Sequence, residues 1–369
     1  MSTSYKAQIL EFADSLHIDI KSSNQVHNLK ESFNESFLDK HKSGEHDIYV
    51  LQSLFGLVLI NYVENESYSF SYIDFAESFT HNVDYSQLFH LSKIHKHNYF
   101  ELLFVLDGQL DIFIEGVHYR YNRGDACLIN LNIRHEESYS GNFTVVYFLI
   151  SKEYLNTFLK EEVPNATGNL YSFFQKNLNN SEGHKSNFID FSPIVVPIQV
   201  VTTGMEEIIY LIIKEMVNSS AGYQSIVRGL VHRFFHQLQL PTLYGHSYVE
   251  LESVSGNNLF EETLRYINEK KGKVTRQEIA EVLHYNGNYI NQIFKKHTNQ
   301  SISEYSRNVC LREATSLLLN SKLSIATIIK HLGFENRTSF YTQFKKRYGV
   351  TPLEYREGLY NEIATHNNL

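Results

Sequence analysis

The 369-residue chain contains 33 Lys and Arg against 41 Asp and Glu, a formal net charge of −8. Residues 258–358 differ from the rest, because they hold 16 basic and 10 acidic residues, a net of +6, which leaves −14 for the remainder. A chain of this length can form two or three domains. A moderately basic part on an acidic body excludes a histone-like protein that binds nucleic acid by charge alone, and it favours a module that recognises a nucleic-acid sequence.

The N-terminal part of the chain is predicted to be a β domain. Residues 48–75 have a strand-like pattern, and residues 90–150 contain short apolar or alternating runs separated by turn signals. Within the second segment, residues 100–106 are apolar, Asp107-Gly108 predicts a turn, and Glu115-Gly116 predicts a hairpin. We therefore expect a β-barrel that is completed by the strands before it.

Four potential metal ligands lie in this β segment. His95, His97 and Glu101 have a spacing that resembles the first sequence motif of cupin barrels, whereas the second motif, which ends at His135, is incomplete. Three imidazoles and a carboxylate are plausible ligands of a divalent metal if a barrel brings them together. The alternative is that they are pocket polar residues or surface histidines in a barrel that has lost its metal. The resemblance to sensor cupins implies the second alternative, so we expect no metal and no cofactor.

The same strands contain aromatic side chains that are candidates for an effector pocket. Phe104, Phe113, Tyr121 and Tyr147 alternate with other residues of the predicted strands. Pockets for small molecules are lined mainly by such apolar and aromatic groups. These four aromatics are also compatible with an ordinary core.

Two amphipathic helices are predicted between residues 204 and 240, after a polar segment at 177–192 that is predicted to be a loop. Their apolar positions recur at helical spacing and form one stripe on each helix. This hairpin can pack against the barrel, form a homodimer interface, or do both. The two stripes comprise Met205, Ile208, Ile209, Ile212, Ile213 and Met216, and Ile226, Leu230, Phe234 and Leu238.

One helix-turn-helix-like unit occurs twice in the C-terminal part. Thr275 and Glu278 form a predicted capping box at the start of the first unit. The repetition predicts two modules that bind one duplex. Ile279, Leu283 and Tyr285 recur 49 residues later as Ile328, Leu332 and Phe334, and Ile290, Phe294, Lys295 and Lys296 recur 50 residues later as Phe340, Phe344, Lys345 and Lys346.

The second helix of each unit has one polar face. In the first unit this face carries Asn288, Asn291, Gln292 and Lys295, and the equivalent positions of the second unit are Thr338, Tyr341, Thr342 and Lys345. Amides are suited to base edges and lysines to phosphates. An ordinary solvated face would explain one such helix, but its repetition favours nucleic-acid recognition.

Residues 332–356 resemble the C-terminal signature of AraC/XylS-type bacterial transcription regulators. They contain a Gly-Phe turn, an F-x3-F-K-K step and a G-x-T-P-x-x-Y-R ending in that order, and the resemblance extends over about residues 258–358. It implies two helix-turn-helix units joined by a long helix near 303–320, with recognition helices in successive major grooves of double-stranded DNA. The implied base-reading residues are Asn288, Asn291, Gln292, Arg337, Thr338, Tyr341 and Thr342, and the predicted phosphate contacts are Arg276, Lys295, Lys296, Lys345, Lys346 and Arg347.

The resemblance also implies a domain organisation and a set of partners. We expect an α+β multidomain protein with a cupin-like β-barrel sensor domain at 1–180, a loop and helical dimerisation hairpin at 181–240, a flexible linker at 241–257, and an all-α DNA-binding domain at 258–369. The implied partners are a small-molecule effector, RNA polymerase and a second copy of the chain, bound through residues 204–240.

The expected function is sequence-specific, effector-responsive transcription regulation, with activation as the sign that the resemblance implies and no enzymatic activity. Two alternatives are open: a constitutive DNA binder whose barrel is only a scaffold, and a metal-dependent cupin enzyme fused to a DNA-binding module. Effector-independent binding would distinguish the first, and metal-dependent turnover the second.

The expected location is the cytoplasm. Only two cysteines, Cys127 and Cys310, are present, which argues against a disulfide framework. The longest apolar run, residues 54–60, is too short to cross a bilayer, and no signal-peptide pattern is present at the N-terminus.

Overall fold

The computed structural model describes residues 4–15, 38–43, 46–51, 54–63, 67–75, 80–82, 94–131, 133–138, 141–161, 167–179, 186–194, 198–251, 258–334 and 336–357. The strands are β1 Leu38–Ser43, β2 His46–Leu51, β3 Phe55–Val63, β4 Ser67–Asp74, β5 Thr80–Asn82, β6 His95–His97, β7 Phe100–Ile114, β8 Val117–Asn122, β9 Ala126–Ile129, β10 His135–Ser138, β11 Phe143–Ile150, β12 Ser186–Pro193 and β13 Tyr244–Leu251. The helices are α1 Tyr5–Ser15, α2 Lys152–Glu161, α3 Asn169–Asn179, α4 Ile198–Asn218, α5 Tyr223–Gln239, α6 Asn258–Glu269, α7 Arg276–Leu283, α8 Gly287–Thr298, α9 Ile302–Asn320, α10 Ile325–His331 and α11 Arg337–Tyr348.

A sheet-rich N-terminal part precedes an all-helical C-terminal part, which confirms the predicted α+β organisation. We call residues 38–251 the β region and residues 258–357 the C-terminal domain. Among the described strands, the hydrogen-bonded path runs β1-β2-β6-β10-β7-β11-β3-β4-β5 without closing on itself, with β8 and β9 paired to β7, β12 to β9, and β13 to β12. β2 and β6 are parallel, and the other described pairs are antiparallel.

The central strand β7 separates two hydrophobic cores. Because successive side chains of a strand point to opposite faces, Phe104 belongs to a core that β7 shares with α2–α5, whereas Leu103 belongs to a second core. The second core continues into α6, α7 and α8, where it includes Phe260, Ile279 and Phe294. The first half of the C-terminal domain therefore shares its apolar packing with the β region. A third core fills the space between α9, α10 and α11.

The predicted turn at Asp107-Gly108 is wrong, because β7 passes through it as one strand of 15 residues. Gly108 has a φ of 67°, and a Cβ there would lie 1.9 Å from the carbonyl oxygen of Asn142. The pairing of β7 with β11 shifts its register close to this point, between Thr144 and Val145. The glycine signal therefore marks a bulge with a close backbone approach, which has the same local sequence chemistry as a turn.

Two segments predicted to be irregular are strands. The predicted loop at 177–192 contains β12, and the predicted linker at 241–257 contains β13. The two strands pair with each other in antiparallel fashion along all eight residues, and β12 also pairs with β9. Of the predicted linker, only residues 252–257 separate β13 from α6, and they lie outside the described residues.

Candidate nucleic-acid interface

The first helix-turn-helix unit consists of α7 and α8. Thr275 and Glu278 form the predicted capping box at the start of α7. His284 ends this helix with a φ of 57°, in the left-handed region that a C-terminal cap favours. Asn286 caps α8: its side-chain oxygen accepts hydrogen bonds from the backbone N–H groups of Asn288 and Tyr289 at 2.9 and 3.3 Å.

The second unit consists of α10 and α11 and has the same design. Gly333, with a φ of 76°, occupies the position of His284. Asn336 caps α11 by accepting a hydrogen bond from the N–H of Ser339 at 2.7 Å. Recognition helices α8 and α11 both have 12 residues and end at residues with positive φ, Asn299 and Gly349.

The predicted base-reading residues lie along the outer faces of α8 and α11, and most of them are exposed. Asn291 and Tyr341 are half-buried. The side-chain oxygen of Asn291 accepts a hydrogen bond from the N–H of Ile302 at 3.0 Å, so this residue also fixes the start of α9. The exposed members are Asn288, Gln292, Arg337, Thr338 and Thr342.

In the second unit, Arg337 and Tyr341 form a pair within α11. The guanidinium carbon of Arg337 lies 4.8 Å from the centre of the Tyr341 ring, and Nη2 donates a hydrogen bond to the Tyr341 hydroxyl at 2.9 Å. A planar cation stacked on an aromatic ring loses less conformational freedom when it binds a partner.

The predicted phosphate contacts divide into two groups. Arg276, Lys295, Lys296, Lys345 and Lys346 are exposed. Arg347 is half-buried and lies against the β region, because a Cβ at Gly245 in β13 would be 2.5 Å from its Nη1 atom. Its placement at the domain boundary disfavours Arg347 as a phosphate contact.

Three exposed apolar side chains of the first unit were missed by sequence reasoning. Val282, Tyr285 and Tyr289 are 49%, 50% and 52% exposed. The rings of Tyr285 and Tyr289 lie 6.5 Å apart with planes 30° from parallel. Tyr285 occupies the position of Phe334 in the repeat, and the repeat alone does not indicate its exposure. We call these three residues the tyrosine patch.

The C-terminal domain docks on the β region through buried polar contacts of α9. Arg312 lies 3.7 Å from the Asp190 carboxylate of β12, and Asp190 accepts a hydrogen bond from Tyr121 at 2.6 Å. Burial raises the pKa of Asp190, and the Arg312 cation opposes that rise. Asn122 of β8 donates hydrogen bonds to Thr315 Oγ1 at 3.3 Å and to the Arg312 carbonyl at 3.2 Å.

A second polar contact at this boundary is a chain of four charged groups. Arg120 binds Asp111 with two hydrogen bonds of 2.7 and 3.0 Å and reaches Glu313 of α9 at 3.2 Å. Lys271 binds the other oxygen of Glu313 at 2.6 Å. Burial alone would raise the pKa of Asp111, but hydrogen bonds from His118 and Arg120 outweigh it and hold the pKa well below its usual range.

The four predicted effector-pocket aromatics are not gathered at one site. Phe104 packs on Phe234 of α5 at 5.7 Å, whereas Tyr121 and Tyr147 lie in the second core. Phe113 is half-buried and contacts His118 at 5.1 Å. The pleat of β7 separates Phe104 from the other core.

A cleft of about 420 Å³ lies instead at the boundary between the β region and the C-terminal domain. Its lining combines aromatic, amide and cationic groups from both parts of the chain. The residues are Asn169, Ser172, Phe173, Lys176, Ile189, His246, Tyr248, Thr298, Asn299 and Gln300. We call it the boundary cleft.

The candidate metal ligands converge inside the β region. The donor atoms of His97, Glu101 and His135 lie within 4.8 Å of one another, as do those of His95, His135 and Glu137, and all five residues are buried. Within the described part of the chain, His97 Nε2, His135 Nε2 and Glu101 Oε1 have no hydrogen-bond partner. His97 Nδ1 and His135 Nδ1 lie 2.7 and 3.1 Å from backbone carbonyls, which is the arrangement that orients imidazole ligands.

Burial and mutual proximity perturb these groups. Burial, with His135 and His95 nearby, lowers the pKa of His97 well below its usual range. Burial would also lower the pKa of His135, but Glu101, 3.4 Å away, outweighs it and raises this pKa to about 9. Burial raises the pKa of Glu137 to about 7. The donor set fits a divalent transition-metal ion, although the sequence led us to expect none.

The stripes of the predicted dimerisation hairpin are used within the chain. All their residues in α4 and α5 are buried except Ile226, which is 48% exposed. Phe234, for example, contacts Phe148 of β11 at 4.8 Å. The periodicity therefore reflects packing on the sheet, and partly exposed apolar residues such as Leu211 and Val217 also pack against this core.

Both cysteines are buried free thiols. Within the described ranges, the structure contains no helix with the length and apolar character needed to cross a membrane.

Comparison with known proteins gives consistent matches to both halves of the chain. Residues 279–358 match the family described as a helix-turn-helix domain, and residues 77–169 match the AraC-like ligand binding domain. The uncharacterized HTH-type transcriptional regulator YobQ of Bacillus subtilis (strain 168) is 26% identical over 278 residues, which represent 75% of this chain and 93% of YobQ.

Other likenesses are more local or more distant. The Msm operon regulatory protein of Streptococcus mutans is 35% identical over 107 residues, which cover 27% of this chain and only 38% of that protein. The structure of ToxT from Vibrio cholerae O395 aligns with 83% of this chain and 98% of its own at 14% identity, with a TM-score of 0.27. A TM-score this low does not establish a shared overall arrangement.

Proposed function

Because this chain is a DNA-binding transcription regulator with a helix-turn-helix domain and an AraC-like ligand-binding domain, we propose that it places α8 and α11 in two successive major grooves of one duplex. The observation that carries this proposal is the pair of equally long, Asn-capped recognition helices on either side of α9. With 19 residues, α9 is about 28 Å long at 1.5 Å per residue. That length is comparable with the roughly 34 Å that separates major grooves one turn apart.

The two kinds of polar residue on this surface have different proposed roles. Asn288 and Gln292, and Arg337, Thr338 and Thr342 in the second unit, contact base edges, because they are exposed on the recognition helices. The lysines at the ends of α8 and α11, with Arg276, contact phosphates. The half-buried Asn291 and Tyr341 contribute at the edge of each contact.

The proposed regulation is a shift between arrangements of the C-terminal domain when a small-molecule effector binds the β region. The polar contacts of α9 with β8 and β12 support this mechanism, because they connect the effector-binding part directly to the helix that joins the two recognition units. An effector with different affinities for the docked and undocked arrangements changes their populations. The boundary cleft is the proposed effector site, since its lining comes from both parts.

The proposed partners of the protein rest on its resemblance to AraC/XylS-type regulators. The protein is proposed to form a homodimer through the outer surface of residues 204–240, to contact RNA polymerase, and to act as a cytoplasmic activator. The exposed Ile226 supports a contact at that surface. A catalytic role is not proposed, because the matched families are regulators.

The test is fluorescence-anisotropy titration of the full-length protein with the DNA upstream of its own gene and with a random duplex, each at several salt concentrations. We expect tighter binding to the upstream DNA and a linear decrease of log affinity with log salt. Candidate effectors are then added to the specific complex. Weak binding to both duplexes at low salt contradicts the proposed function, and specific binding that no effector changes favours the constitutive DNA binder.

A further inference from the structure

The two recognition units present different chemistry at equivalent positions. In the first unit, Asn288 and Gln292 present carboxamides, whereas the equivalent Thr338 and Thr342 present hydroxyls. The second unit adds the guanidinium of Arg337, which is stacked on Tyr341. Units with such different side chains favour different base pairs.

The tyrosine patch is a further difference between the units. Its equivalents in the second unit are His331, Phe334 and Ser339. Phe334 is half-buried and packs edge-on against Phe340 at 5.0 Å. Ser339 is half-buried and accepts a hydrogen bond from Gln343 at 2.9 Å. Of the two described units, only the first therefore presents a pair of neighbouring exposed aromatic rings, those of Tyr285 and Tyr289.

The patch is continuous with the polar face that the proposed function places on DNA. Tyr289 follows Asn288 in the first turn of α8 and precedes Gln292 by three residues, and Tyr285 directly precedes the cap residue Asn286. The N-terminal residues of a recognition helix are those that approach base edges. The patch thus lies at the end of α8 that approaches the groove, beside amide groups and within a domain of positive net charge.

Resting on the proposed function, we propose that the operator is chemically asymmetric: the first unit recognises an A·T-rich half-site through contacts of the tyrosine patch with thymine methyl groups, and the second recognises a half-site containing guanine through Arg337. In the major groove, the thymine C5-methyl is the group that offers apolar contact. Asn and Gln pair with adenine N6 and N7, and Arg pairs with guanine O6 and N7. The two half-sites lie about one helical turn apart.

The proposal assigns Tyr289 and Arg337 as specificity-determining residues with different base preferences. The stack with Tyr341 holds the guanidinium plane of Arg337 before DNA binds, which favours a two-point contact with one base. Tyr289 offers an apolar ring with a polar tip, which can cover a methyl group while the hydroxyl stays hydrated.

The first step of the test is selection of duplexes from a random pool with the full-length protein. We expect an A·T-rich segment and a guanine-containing segment about 10 base pairs apart. The selected site is then synthesised with deoxyuridine in place of thymidine in the A·T-rich half, which removes only the methyl groups. Wild-type affinity should fall by about fourfold for each methyl that the patch covers, the effect of one buried methyl group.

Tyr289→Ala should bind the thymine and uracil sites equally, whereas Leu353→Ala, a control of similar exposure at 47% that lies beyond α11, should retain the wild-type difference. In the other half, 7-deazaguanine should weaken wild-type binding about tenfold and leave Arg337→Ala unaffected. Because the base substitutions are made in DNA, the wild-type measurement tests the proposal even if a variant folds poorly.

The outcomes separate this proposal from the function on which it rests. A selected site that the wild type binds equally well with uracil or thymine overturns the methyl contact and leaves specific DNA binding intact. An equal loss with uracil for the wild type and Tyr289→Ala overturns the assignment of Tyr289 as the residue that senses the methyl groups. Selection that enriches no sequence contradicts the proposed function itself.

Discussion

The four linked charged groups at the domain boundary, Asp111, Arg120, Glu313 and Lys271, allow a quantitative prediction for Arg120→Met. This change removes the cation that joins Asp111 to Glu313 and leaves both carboxylates buried. Removing one partner of a buried ion pair costs about 3–5 kcal/mol. The Arg120 side chain is 24% exposed, and each carboxylate keeps a second partner, so we expect a decrease of about 2–3 kcal/mol in the free energy of unfolding.

A matched control exists within the β region. Arg134 makes a 2.6 Å ion pair with Glu115, but its side chain is 45% exposed, so Arg134→Met should cost less than about 1 kcal/mol. Because the chain contains no Trp, urea unfolding is best followed by circular dichroism. Hydrogen exchange measured by mass spectrometry should show faster exchange in β8 and α9 for Arg120→Met alone.

A double-mutant cycle with Glu313→Gln tests whether the effect crosses the boundary. If Arg120 acts through Glu313, the two changes together should cost about 1–2 kcal/mol less than the sum of the single changes. Strict additivity, or equal effects of Arg120→Met and Arg134→Met, would refute the idea that this chain of charges holds the two parts together.

Three further predictions concern the recognition surface and the interior. Gln292→Ala should cost about 1–3 kcal/mol on the cognate duplex and little on random DNA, whereas Lys295→Ala should weaken both and reduce the salt slope by about 1; equal losses for both variants in anisotropy titrations would contradict this division. Burial raises the pKa of Asp125 from 3.8 to about 6, so the free energy of unfolding should fall as pH rises from about 4 to 6. Above pH 6, Asp125→Asn should be up to about 3 kcal/mol more stable than the wild type in urea unfolding. A gain in stability that is independent of pH would exclude titration of Asp125 as its cause. Zn²⁺ at a hundred times its Kd should stabilise the wild type by about 2.7 kcal/mol in thermal unfolding and leave His135→Gln unchanged, whereas equal shifts would place the ion elsewhere.

The sequence predicts the C-terminal domain well because its signals are local. The cap at Thr275 and the start of α9 near Ser303 depend on residues only three or four positions apart. Repetition at a spacing of 49 or 50 residues then favours the same structure a second time. The DNA contacts assigned to these helices stay predictions until binding is measured.

The β region is harder to predict because its pairings are distant in sequence. Strand β13 forms with β12, nearly 60 residues earlier, so Tyr244–Leu251 contains no local signal that excludes a linker. Periodicity predicted that one face of α4 and of α5 is buried, but it did not distinguish burial on the sheet from burial in a dimer. The convergence of His95, His97 and His135 likewise depends on β6 and β10 being neighbours.

The position of α9 explains how an event in the β region can reach both recognition units. Arg312, Glu313 and Thr315 of this helix contact the β region, and the same helix follows α8 and precedes α10. A change in the docking of α9 therefore acts on the element that fixes the separation of the two units, rather than on one unit alone. On the proposed tandem half-sites, whose spacing is fixed, even a small change in this docking would alter whether both units can bind at once. Loss of the second contact would remove the affinity gained by linking the two binding events.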